Sequence, residues 1–426
     1  MKFDYGKRGI EIKLDPTWNV TIFRPERQIP LQRPIEAIRE SLRNPLGINS
    51  LEEIIKSKES LNKVCIVASD STRPVPSNII LEGLINELNE FGIQDDQILI
   101  LIATGLHRTS RDEELERIVG TELKKRIRII DHVATDKDSL IFLGKGSDNI
   151  PIYINKHYCN ADLKILTGYV EPHFFFGFAG GRKSVVPGIA GIETIQANHS
   201  AKNIASPYSR FGIYEKNPMA KNSTEIAKLV GVDFVVNVCI NEEHKITKVA
   251  SGDFEKVHER LVKSQLKKIF RQISEPFDIV VCGNGGYPLD LNLYQAVKSM
   301  AIGEIAVKTG GTIVSVNECS DGIGIGQEQF NDLLFCGLTP KEIYNRILNK
   351  KIIVPDQWEI QILTRIMLKA EIFIVSELAK NEIGNIGLKH ANSVEEAIKS
   401  SLEKHGTNGR ILILPNGPQV IPRLKL

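Results

Sequence analysis

From Val64 onward the chain alternates short, unbroken apolar runs with longer amphipathic ones. Cys65-Ile66-Val67-Ala68 reads as a buried strand, Pro76 to Phe91 as a helix, Ile98 to Ala103 as a second strand and Arg111 to Val119 as a second helix. The pattern continues through strand-like runs at Ile127 to His132, Leu163 to Thr167 and Phe234 to Val238, with helices at Thr224 to Leu229 and Phe254 to Arg271. Ahead of it, alternation at Ile10, Ile12 and Leu14, then at Val20 and Ile22, predicts two N-terminal strands, and residues 34–43 and 50–56 read as helices. Ser274-Glu275-Pro276 marks a boundary, after which Asp278 to Cys282 opens a second strand-and-helix series. Its next helix is capped by Asp290 or Asn292. Strands at Thr312 to Val316, Ile372 to Val375 and Ile411 to Leu414 follow, with helices at Pro340 to Leu348 and Gln357 to Met367. Strands alternating with helices belong to parallel sheets covered on both faces. The expectation is two α/β domains with parallel-rich sheets, residues 1–275 and 276–426.

Composition narrows the function classes. With 54 basic against 52 acidic residues, no general positive field exists to hold nucleic acid or an anionic membrane surface. The start, Met1 to Lys7, has no apolar core, and no run of about 18 apolar residues follows. A cytoplasmic protein is expected. The six cysteines lie apart, none in a CxxC pair, and read as buried free thiols.

In parallel sheets, ligands gather where the carboxyl ends of strands lead into helices. Three polar clusters fall at such ends: Ser69-Asp70-Ser71-Thr72-Arg73-Pro74, Thr104-Gly105-Leu106-His107-Arg108, and the stretch after Thr167. That last stretch runs Glu171-Pro172-His173, Phe174-Phe175-Phe176, Gly180-Gly181-Arg182-Lys183 and on to His199. Glycines let a backbone approach a ligand and consecutive turn N–H groups can cradle an anion, so a cofactor with a phosphate or other anion is expected here. His107, in an exposed turn, suits acid–base work near neutral pH; His173 is either a second such group or a core imidazole. Lys183 lacks the Walker pattern and reads as an anion contact, a nucleophile or a solvated lysine. Asp70 and Arg73 could close their turn as an ion pair. His132 reads as structural. His199 is a lone metal-ligand candidate, meaningful only if a cofactor supplies the other donors. Tyr294 and Lys298, four apart with Gln295 between them, share a helix face suited to a carboxylate, and Trp358 is a packing anchor or a site residue.

Taken in order, Asp70-Ser71-Thr72-Arg73-Pro74, Gly105-Leu106-His107-Arg108, Glu171-Pro172-His173, Gly180-Gly181-Arg182-Lys183, His199, Tyr294-Gln295 with Lys298, and Asp356-Gln357-Trp358 resemble the nickel-dependent lactate racemase family. The resemblance implies two α/β domains with an active-site cleft between them, the first binding cofactor and carrying the catalysis, the second contacting substrate. It implies a nickel pincer nucleotide, with nickel held by the cofactor and by His199, and the cofactor held by Lys183, Asp70, Gly180 and Gly181. His107 and His173 would exchange the hydroxyl proton of a 2-hydroxy acid while its α-hydrogen moves as hydride. Arg73 and Lys298 would neutralise the carboxylate, with Tyr294, Gln295 and Trp358 completing the substrate contacts. Lactate is the expected substrate, malate or a sugar acid the alternatives, and cofactor-synthesis enzymes the expected partners. A nicotinamide dehydrogenase would need the GxGxxG fingerprint, which is missing, and a mere cofactor carrier would not need two histidines.

Overall fold

The computed structural model describes residues 1–425. It divides into two compact units, Arg27–Leu266 and Met1–Glu26 joined to the chain from Lys267 onward.

The Arg27–Leu266 unit is built on six strands in the order Ile246–Gly252, Phe234–Ile240, Leu163–Tyr169, Val64–Ser69, Ile98–Ala103, Arg128–Asp131. All neighbours are parallel except the Ile246–Gly252 edge, which runs antiparallel to Phe234–Ile240. The central strands are apolar on both faces because helices cover both. Ile66, Ile100 and Ile165 are fully buried against Leu81, Leu84 and Leu88 of the Ser77–Glu90 helix. The chain leaves Val64–Ser69 toward one edge and later returns to its other side at Leu163–Tyr169. That reversal falls at the carboxyl ends of these two strands, the usual ligand position in open parallel sheets.

The second unit holds a six-stranded sheet, entirely parallel, in the order Lys389–His390, Glu371–Val375, Val307–Val316, Phe277–Gly283, Arg410–Leu414, Asn19–Ile22. The division therefore departs from the boundaries read from the sequence. Residues 1–26, expected in the first domain, go with the second unit because Asn19–Ile22 pairs with Arg410–Leu414. Alternation shows that a strand is half-buried and leaves its partner open. The boundary near 275 moves into the end of the Phe254–Ile269 helix, since Phe270–Ile273 pairs with Ile421–Leu424. Among the described residues no helix is long and apolar enough to cross a membrane. All six cysteines are free, four of them buried.

Candidate functional site

Asp70 follows the last residue of the Val64–Ser69 strand, and His107 stands in the turn after Ile98–Ala103, its parallel neighbour. The His107 turn is closed by its own N–H on Thr104 O at 2.9 Å, with Gly105 at φ +56°. Adjacent strand ends thus bring the two side chains together: His107 Nδ1 lies 2.6 Å from Asp70 Oδ2, while Thr72 Oγ1 donates to Asp70 Oδ1 at 2.8 Å. Burial alone would push the Asp70 carboxyl up. His107 beside it, the hydrogen bond they share, Arg73 and Thr72 outweigh burial and hold it below the usual carboxylate value. Arg73 also closes the turn through its N–H on Asp70 O at 3.3 Å. Asp70, expected at the cofactor, is engaged by His107 and Thr72. The sequence shows an acidic residue and a histidine each at a strand end, and the parallel pairing of those two strands, which the fold supplies, brings them together.

Gly105 N–H donates to Gly188 O at 3.0 Å, which ties that turn to the glycine-rich stretch. There Pro172–His173 and Gly177–Phe178 form a two-residue antiparallel ribbon with Phe174, Phe175 and Phe176, all buried, as its tip. The His173 ring stacks on Phe174 at 5.0 Å and meets Phe175 edge-on at 4.6 Å. Its Nδ1 accepts from the N–H groups of Phe176 at 3.3 Å and Phe175 at 3.5 Å. Asn217 Nδ2 donates to Phe175 O at 2.8 Å and fixes the tip.

Gly180 and Gly181 have φ of +84° and +53° and open the short turn that presents Lys183. Gly181 N–H donates to Asn237 Oδ1 at 2.8 Å, and Lys183 N–H to Gly180 O at 3.2 Å. These N–H groups are engaged within the protein, so the glycines here serve close backbone packing. The Lys183 ammonium lies 4.6 Å from the centre of the Phe176 ring. Neighbouring Arg182 is buried, its guanidinium 4.4 Å over the Tyr214 ring and its Nη1 3.1 Å from His258 Nε2. Burial pushes Arg182 down to about 10.

His199 ends the Ile192–Asn198 helix, buried, with Nδ1 donating to Ile195 O at 3.1 Å. Burial above all, and then nearby Lys183, push its pKa down to about 3 against the opposing carbonyl bond. Its ring meets Phe175 at 5.3 Å and Phe176 at 5.9 Å. One aromatic tip therefore touches His173, Lys183 and His199, residues 26 positions apart at the extremes. Among the described residues, no three His, Cys, Asp or Glu side chains converge as a metal site. His132, expected to be structural, is fully buried and saturated: Nε2 bonds Ala190 O at 2.9 Å and Nδ1 lies 3.1 Å from Asn155 Nδ2.

In the second unit, Asn292 rather than Asp290 caps the Leu293–Ala306 helix by accepting from Gln295 N–H. Tyr294 is buried edge-on against Phe330 at 5.4 Å, and the Lys298 ammonium donates to Gln295 Oε1. Trp358, also buried, begins the Gln357–Lys369 helix, which packs against the helix of Tyr294.

Two family models match successive parts of the chain: "Lactate racemase N-terminal domain" over residues 5–212 and "Lactate racemase C-terminal domain" over residues 273–422. A lactate racemase from Thermoanaerobacterium thermosaccharolyticum is 35% identical over 393 residues, 92% of this chain and 91% of that protein. One from Lactiplantibacillus plantarum is 38% identical over 389 residues, 91% of this chain and 90% of that protein. The solved structure of the lactate racemase apoprotein from T. thermosaccharolyticum superposes with a TM-score of 0.91 at 33% identity, covering 99% of both chains. The crystal structure of a Thermotoga maritima protein has a TM-score of 0.70 at 19% identity, covering 94% of this chain and 100% of that one, and speaks for the fold alone.

Proposed function

We propose that this chain, which belongs to the lactate racemase family and is on that ground a racemase, interconverts D- and L-lactate with a nickel pincer nucleotide as cofactor. The observation that carries this reading is the gathering of His173, Lys183 and His199 around one aromatic tip. The residues fit such a group. His199 is neutral, and with Nδ1–H committed to Ile195 O its lone pair is at Nε2, the arrangement of a metal-ligating imidazole. One imidazole from the protein suits a cofactor that brings its other donors with it. Lys183, beside that imidazole, is the amine that would hold the cofactor, with Asp70, Gly180 and Gly181 near it.

When bound, the cofactor supplies an acceptor for the hydrogen on the substrate's Cα. The chain does the rest. His107 and His173 handle the hydroxyl proton, one for each hand of the substrate. The family resemblance assigns Arg73 and Lys298 to the substrate carboxylate, Tyr294 and Gln295 to its orientation, and Trp358 to substrate contact. The buried aromatic tip keeps water from the reacting oxygen. The setting is cytoplasmic, with enzymes that make the cofactor as partners.

The test is co-expression with cofactor-making enzymes, nickel loading, and chiral analysis of product from D-lactate. L-lactate formed by the wild type and lost in His199→Ala is the expected result. Loaded protein that racemises only malate or a sugar acid would move the substrate and keep the chemistry. Loaded protein that racemises no 2-hydroxy acid would overturn the proposal.

A further inference from the structure

We infer that the two imidazoles are held in opposite neutral tautomers, so that only His107 offers a lone pair at Nε2 while His173 offers an N–H there. The inference rests on the roles proposed for both residues, but what carries it is the hydrogen bonding behind each ring. An ionised carboxylate has no hydrogen to give, so the 2.6 Å contact between His107 Nδ1 and Asp70 Oδ2 puts the proton on Nδ1. The neutral ring then carries its lone pair on Nε2. Asp70 is 6% exposed and tied down by Thr72, so this support is fixed before any ligand arrives.

At His173 the support has the opposite polarity. A backbone N–H cannot act as an acceptor, and two of them, from Phe175 and Phe176, are directed at Nδ1. Nδ1 must therefore hold the lone pair, and the neutral ring carries its proton on Nε2. Rotating the ring would break both contacts and the stacking on Phe174. The tip that supplies these N–H groups is itself pinned by Asn217 and by the Pro172–His173 and Gly177–Phe178 pairing.

The two sides of the site are thus unequal. A substrate whose hydroxyl faces His107 meets a base, and the proton it gives to Nε2 leaves an imidazolium whose Nδ1–H remains on Asp70. A substrate of the other hand meets a hydrogen-bond donor at His173, and proton acceptance there waits on a shift of the Phe174 to Phe176 tip. Mirror-image acids have equal free energy, so kcat/KM must stay equal in the two directions. The inequality falls on kcat and KM separately. Asp70 is on this view a positioning residue for the base.

The deciding experiment is long-range 15N–1H correlation spectroscopy on the full chain with 15N-labelled histidine. Spectra are taken at about pH 8.5, roughly two units above the ordinary imidazole value. His107→Gln and His173→Gln assign the signals. The expected pattern is a protonated Nδ1 for His107 and a protonated Nε2 for His173. Asp70→Ala should move His107 toward the Nε2–H form and leave the His173 signals in place, which also reports that the variant is folded. Like tautomers in the wild type, or a His107 pattern unmoved in folded Asp70→Ala, would overturn the inference. No substrate is involved, so failure of lactate turnover and failure of the tautomer assignment are separate outcomes.

Discussion

His132 and His199 are both buried imidazoles pushed down by burial, one to about 4 and the other to about 3. Their hydrogen bonds separate them. His132 has both nitrogens used by Ala190 and Asn155, the state of a structural residue. His199 has Nδ1 on a helix carbonyl, which directs its lone pair to Nε2. Replacing His199 by Ala should therefore lower the nickel content of loaded protein by at least about tenfold, since even indirect supports of metal ligands cost that much. Metal analysis of the purified protein checks this, and undiminished nickel would remove His199 from the ligand set. His107→Ala and His173→Ala should each reduce racemisation by at least about 100-fold, the usual contribution of a general acid or base. Chiral product analysis at saturating substrate reads the loss, and near-normal turnover by either variant would refute its role.

At the level of elements, the turn before Lys183 shows where a glycine is required. A Cβ on Gly180 would lie 2.8 Å from both Asn237 Oδ1 and Tyr169 O, at φ +84°. Gly92 has a similar φ of +91° with nothing within 4 Å. Gly92→Ala thus measures the conformational cost alone, about 1–2 kcal/mol for an L-residue in left-handed backbone. Gly180→Ala adds the clash, so its thermal midpoint should fall further than that of Gly92→Ala, and cofactor loading should fall with it as Lys183 shifts. Equal midpoints would mean that the turn relaxes freely. The buried strands around this turn were legible in the sequence because a continuous apolar run such as Cys65 to Ala68, too short for a helix, is most stable as a strand covered on both faces. Less legible were elements that face solvent. The hairpin of Leu140–Lys145 and Pro151–Asn155 leaves Phe142 and Leu143 exposed and is interrupted by Gly144 and Gly146, so its alternation is lost. The Ile246–Gly252 edge strand mixes half-buried Thr247 and Lys248 into its run for the same reason. The residue types at the candidate site stood out, whereas the Asp70–His107 contact and the two N–H groups behind His173 depend on the fold.

On the scale of the whole molecule, burial of neutral histidines ties stability to pH. His132, His199 and His258 all lie in the Arg27–Leu266 unit, and burial is the first cause of each depressed pKa. The unfolded chain binds a proton at each of these rings near pH 6.5, while the folded chain resists it. Stability is thus complete above the unfolded value and falls as pH drops toward the folded one. For His132, with a folded value of about 4, the window runs from pH 6.5 down to 4. A full unit of pKa shift corresponds to about 1.4 kcal/mol, so lowering the pH from 6.5 to 5 should remove on the order of 2 kcal/mol through this residue. His132→Gln deletes the titration and should flatten the pH dependence by about one proton across that window, whatever it costs in stability at neutral pH. Urea unfolding of both proteins at several pH values reads the slope, and comparing slopes cancels contributions from titrating groups that the variant leaves alone. Parallel slopes would show that His132 protonates as easily folded as unfolded, which its two internal hydrogen bonds and complete burial forbid.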